Sequence, residues 1–228
     1  MATHLDLEEQ EQIDAIKHFW NQWGNIITWV LIVILGAYAA YNGWQYWQRS
    51  QASQAALMHD EMQRSIESGD PARIERALSD MKDKFGGTTH ASQAGLEAAK
   101  ALAEKDKMAE AKAALAWVAE KGSDDGLKAV ARLRLASLLM GEKAYDEALQ
   151  QLAGSFPAEF VALAADRRGD VLLMQGKRAE AAAEFGKAYQ GLTQSGGDYR
   201  SLVGIKLNSL GIDPDAGAAA ASRTGGAA

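Results

Sequence analysis

A chain of 228 residues with 47% hydrophobic side chains has room for one ordinary domain plus appendages. Its 24 basic residues are interspersed with 30 acidic ones, for a formal net charge of −6, which gives no general basis for binding nucleic acid. The absence of cysteine excludes disulfides, thiolate metal sites and a cysteine nucleophile.

The N-terminal segment, residues 1–22, is acidic: Asp6, Glu8, Glu9, Glu11 and Asp14 are opposed by Lys17. Asp6-Leu7-Glu8-Glu9 reads as a helix start, with Asp6 capping free backbone N–H groups and Glu9 reaching back. Ile13, Ile16, Trp20 and Trp23 then recur on one helical face. This is the pattern of a short amphipathic helix lying in the headgroup layer before the chain turns into the membrane.

Residues 23–47 read as a transmembrane anchor. No formally charged side chain stands between Phe19 and Gln48. The densest part, Ile26 to Trp47, would extend about 33 Å as a helix, against a bilayer core of about 30 Å. Trp20, Trp23 and Trp29 flank one end and Trp44, Tyr46 and Trp47 the other. Such rings favour the level of the lipid bilayer where one edge stays wet. Ala37-Tyr38-Ala39 offers a signal-peptidase-like site, but a signal peptide opens on a short basic segment and this chain opens on an acidic one. The expectation is an uncleaved anchor. Lys17 on one side and Arg49, with the more distant Arg64, on the other leave its orientation nearly tied, leaning toward a cytoplasmic C-terminal domain.

Residues 48–212 are rich in Ala, Glu, Lys, Leu and Gln and show no alternating run. Breaks at Ser68-Gly69-Asp70-Pro71, Phe85 to Thr89, Lys121 to Gly126, Ser155-Phe156-Pro157, Gln175-Gly176-Lys177 and Ser195 to Asp198 cut them into helix-sized pieces. The expected fold class is all-α. Ala77, Ala111, Ala148 and Ala181 recur in matching contexts. Each is preceded at constant spacing by a small residue (Ser65, Ala99, Ala136, Gly169) and followed by a large apolar one (Met81, Leu115, Leu152, Phe185). Small residues let helix axes approach and large ones fill the neighbouring groove. A period near 34 residues with this alternation is a tetratricopeptide-like signature, an α-solenoid of about three and a half repeats closed by a helix near Tyr199 to Ser209. The first repeat departs from it, with Lys84 where Val118 and Ala188 later pack.

Such a stack presents an inner face built from the first helix of each pair. The repeat phase directs Leu96, Leu133, Met140, Leu163 and Leu173 toward it, with Asp166 and Asp170. An apolar lining with scattered acids would suit a hydrophobic helix or an unfolded chain, whereas the same leucines also suit packing against the next helix. His4, His18, His59 and His90 share no metal-ligand spacing, no phosphate-cradling loop is present, and no enzyme or cofactor is expected. The tail, residues 213–228, is low in complexity and expected to be disordered.

Leu5 to Gln48, above all the Leu-Glu-Glu-Gln-Glu-Gln run followed by Trp, Gly-Asn and a single anchor, resembles the N-terminus of the YfgM-type ancillary subunits of the bacterial Sec translocon. The alanine-rich repeats resemble the tetratricopeptide domain of that family. The resemblance implies a single-pass inner-membrane protein with a cytoplasmic N-terminus and periplasmic repeats, against the lean of the charge count. It also implies association with the SecYEG translocon and a PpiD-type periplasmic isomerase-chaperone, passing exported polypeptides to chaperones. The alternative is a membrane-tethered, cytoplasmic-facing scaffold that sequesters a signalling regulator.

Overall fold

The computed structural model describes residues 7–192 and 197–214, with side chains from Ile13 onward. Asp6, the acidic side chains of residues 8–11, the break at Ser195-Gly196 and the tail from 215 onward lie outside the described residues. The chain divides into two units, Met1–Gln51 and Ala52–Ala228. Among the described residues every regular element is a helix: α1 (Leu7–Ser68), α2 (Pro71–Phe85), α3 (Thr89–Ala103), α4 (Met108–Lys121), α5 (Asp125–Gly141), α6 (Tyr145–Leu152), α7 (Ala158–Met174), α8 (Arg178–Gly191) and α9 (Gly197–Ser209).

The N-terminal unit is the first part of α1. The expected turn between an interfacial helix and the anchor is absent, because α1 runs unbroken from Leu7 to Ser68. No proline falls in this stretch, and Gly24 is the one glycine near the expected bend. Trp20 lies over Gly24, which has no side chain to hold the ring away. Two polar residues of the apolar run, Thr28 and Asn42, turn inward on the helix. Thr28 Oγ1 donates to the Gly24 carbonyl at 2.7 Å, and Asn42 Nδ2 donates to that of Tyr38 at 2.9 Å. Hydrogen-bonding groups satisfied within the helix are what a hydrocarbon surrounding requires.

The second unit is a series of helix pairs. The starts of three helices follow from short polar side chains: Asp70, Thr88 and Asp124 accept from Ala72, Ala91 and Leu127 N–H. Within each pair the chain reverses through a left-handed residue, at Gly69, Asp106, Lys143 and Gly176, and again after α9 at Gly211. At four of these turns an N–H closes back on a buried leucine carbonyl: Lys107 on Leu102, Ala144 on Leu139, Lys177 on Leu172 and Ile212 on Leu207. The breaks at Asp106 and Lys143 are missing from the sequence reading because neither contains glycine or proline.

From α2 onward each helix packs mainly on its neighbours in the chain, while the first helices of successive pairs, α3, α5 and α7, also lie beside one another. The small positions do what their size allows: Ala99, Ala111, Ala136, Ala148, Gly169 and Ala181 are buried, with Leu115, Leu152 and Phe185 filling the spaces between. One core runs from the C-terminal part of α1 to α7, and a second joins α7, α8 and α9. The first repeat departs from the pattern, since Ser65 and Ala77 are only half-buried while Met62, Ile74, Leu78 and Met81 are fully inside.

Candidate functional site

Two surfaces carry the functional question, the apolar span of α1 and the face formed by the first helices of the pairs. The span meets the requirement for a membrane helix in both length and composition, and its apolar stretch is almost wholly unburied. Trp20, Trp23, Trp29, Trp44, Tyr46 and Trp47 are all exposed. Trp44 and Trp47 stack obliquely with ring centroids 5.5 Å apart. Large apolar side chains exposed all round a helix leave it without a water-compatible face.

The residues expected on the inner face fall into three groups. Leu96 is only 7% exposed and belongs to the first core. Leu133 and Met140 are half-buried against that core, Leu173 is half-buried against the second, and Leu163 is also half-buried. Much of this leucine set therefore stabilises helix packing. Asp166 is 1% exposed and does not line an open groove. It lies beneath α9, where Tyr199 donates its hydroxyl at 2.6 Å and Lys206 Nζ approaches at 2.8 and 3.0 Å. Asp170, which also pairs with Arg167, receives the same ammonium group at 2.7 Å.

These contacts set the electrostatics. Burial raises the Asp170 carboxyl above its ordinary range, and the hydrogen bond from Lys206 only partly offsets this. Burial and the bond to Asp166 also push the Tyr199 phenol well above its usual value. Lys206 additionally lies 5.1 Å from the centre of the Phe185 ring. The two acids thus hold a helix of their own chain. Met174, one turn beyond Asp170 on α7 and 60% exposed, is the apolar side chain the sequence reading missed. Its signal was the four-residue step that aligns it with Asp166 and Asp170 on one face of α7.

Two arginines close the C-terminal end of α6. Arg132 donates to the carbonyls of Gln151, Ala153 and Ser155 and lies over the Phe156 ring at 4.0 Å. Arg168 donates to Leu152 O at 3.0 Å and to Glu184 Oε2 at 2.7 Å. A short helix gains from cations that satisfy its last carbonyls. Burial opposes the ionised Glu184, but hydrogen bonds from Lys187 and Arg168 outweigh it and hold the carboxyl below the usual range.

Comparison with known proteins adds an independent line. The tetratricopeptide repeat-like domain family matches residues 17–212, which includes the anchor as well as the repeats. A protein of Neisseria gonorrhoeae called ancillary SecYEG translocon subunit is 31% identical over 92% of this chain and its own full length. One of the same description from Escherichia coli is 32% identical over 90% of this chain and 97% of its own, and one from Haemophilus influenzae is 28% identical over 90% and 98%. No solved structure matches the chain. With anchor and repeats aligned together over almost the full length of these relatives, the chain belongs to the family of ancillary SecYEG translocon subunits built on a tetratricopeptide repeat-like domain.

Proposed function

We propose that this protein is a membrane-anchored scaffold of the bacterial inner membrane that associates with the SecYEG translocon and holds its repeat domain in the periplasm. There it receives exported polypeptides and a PpiD-type isomerase-chaperone. The observation that carries the reading is the alignment, at about one residue in three, of anchor and repeats together with proteins called ancillary SecYEG translocon subunits. The anchor supplies proximity. A tethered domain meets a translocon exit at a high effective concentration, so individual contacts can be weak and still be occupied. The remaining inner face, Leu133, Met140, Leu163 and Leu173 together with exposed Met174, offers apolar area to a chain segment or a partner helix. Trp20, Trp23, Trp29, Trp44, Tyr46 and Trp47 hold the span at the two interfaces.

Deleting residues 1–47 tests the tether. The expected product is a soluble, helical, monodisperse domain that no longer co-purifies with the translocon in mild detergent. Undiminished co-purification would move the docking element into the repeats. A C-terminal alkaline phosphatase fusion tests the orientation: it is expected to be active, and a silent fusion of normal abundance would favour the cytoplasmic-facing scaffold. Photocrosslinkers at positions 133 and 173, with the products identified by mass spectrometry, test the inner face.

A further inference from the structure

The first helix pair of the repeat domain is open where the later pairs are closed. Ser65 and Ala77 stand at its small-residue positions, and both line a groove of about 620 Å³ between residues 57–65 of α1 and 73–80 of α2. The groove lies on the side turned away from the rest of the stack. Met62, Ile74, Leu78 and Met81, on the opposite faces of the two helices, are buried in the core, and His59 and Gln63 reach Glu97 of α3. This is therefore the N-terminal edge of the solenoid, the place where a preceding helix would stack.

Charge along the groove is arranged in two patches. Arg64, Arg73 and Arg76 lie nearer the α1–α2 turn, with Asp60, Glu61 and Asp80 about one turn further from it. None of these six side chains forms an ion pair with another described residue. The wall is small beside the arginines, at Ser65 and Ala77, and apolar beyond the acids, at Met58 and Leu57, the last 73% exposed.

We propose that this edge docks an α-helix of a partner protein, one that carries an acidic side chain toward the three arginines and a basic side chain about one turn away toward the three acids. A small side chain beside the acidic one lies over Ser65 and Ala77. The occupant is a helix because α1 and α2 spend their backbone groups on their own hydrogen bonds. An extended peptide laid between them would lose water from its N–H and C=O groups and find no partners, whereas a helix brings its own. Its charges are spaced as the walls are, since i and i+4 share a face. A single-sign ligand meets repulsion at one end, so the bipolar pattern supplies selectivity as well as attraction.

The test uses the full chain in nonionic detergent and three labelled, blocked alanine-rich helical peptides of about 16 residues. One carries paired glutamates and paired lysines one turn apart, one glutamates at all four positions, and one lysines at all four. Fluorescence anisotropy at low salt is expected to show the bipolar peptide binding about tenfold tighter than either single-sign peptide, with the difference shrinking as salt is raised. In the exposed-surface variant R73E with R76E, verified as folded by circular dichroism, the preference is expected to pass to the all-lysine peptide. Equal binding of the three peptides, or an unchanged order in the variant, overturns the proposal. Self-association of the full chain that the bipolar peptide displaces would also overturn it, by assigning the groove to a second copy.

Discussion

A Cβ added at Gly169 would stand 2.5 Å from the Phe185 ring, and that ring is fully buried, so it has nowhere to yield. Gly169→Ala is therefore expected to lower stability by about 1–3 kcal/mol, the usual cost of overpacking, read as a fall in the urea midpoint at constant slope. The position was legible in the sequence, because the glycine recurs in phase with Ala99 and Ala136. The left-handed turns at Asp106 and Lys143, with φ of 59° and 63°, were not legible. A side chain in this conformation costs about 1–2 kcal/mol, and glycine avoids that cost while losing about 0.5–1 kcal/mol to greater freedom in the unfolded chain. Lys143→Gly is accordingly expected to stabilise the domain by about 0.5–1 kcal/mol, measured by the same denaturation. An unchanged or lower midpoint would contradict the assignment of this turn.

Attachment of α9 depends on polar contacts as much as on Val203 and Leu207, its two buried aliphatic side chains. Lys206→Met leaves Asp166 buried with Tyr199 as its remaining donor, and breaking a buried pair from one side costs about 3 kcal/mol or more. The expected signature is faster amide exchange in α9, with that of α3 unchanged, because α9 adjoins α8 and lies over α7. The α7–α8 pair has a pH signature of its own. Glu184 has a depressed folded pKa, so its contribution is fully present above the ordinary glutamate range, about pH 4.3, and is lost as pH falls through the folded value. The stability difference between the wild type and Glu184→Gln should therefore be constant near neutrality and shrink below about pH 4. Asp170, with its raised pKa, acts in the opposite sense, since its ionised form is the less favoured in the fold. A difference that grew on acidification would refute the role given to Arg168 and Lys187.

The large features of the molecule were legible because they are periodic or compositional: the span of α1, the paired helices, and the alternation of small and large residues. The fate of Asp166 and Asp170 was not. Their phase placed them on the face of α7 that a partner could reach, but nothing local revealed that Tyr199 and Lys206, far along the chain, would cover them. Repeat phase fixes the direction of a side chain on its helix, whereas occupancy of that face is settled by tertiary contacts. The same distinction bears on how the repeat domain unfolds. Its two cores, α1 to α7 and α7 to α9, are bridged by few side chains, Leu149 among them, which packs against both. In a stack where each helix meets mainly its neighbours, damage spreads only as far as the coupling across such a junction carries it. Leu115→Ala and Leu207→Ala each remove a buried leucine at a cost of about 2–5 kcal/mol, one in each core. Hydrogen exchange is expected to show Leu115→Ala loosening α3 to α5 while α8 and α9 keep most of their protection, with the reverse pattern for Leu207→Ala. A uniform loss across all the repeat helices in both variants would mean that the junction at Leu149 couples the cores into one cooperative unit, and the nearest-neighbour account would fail.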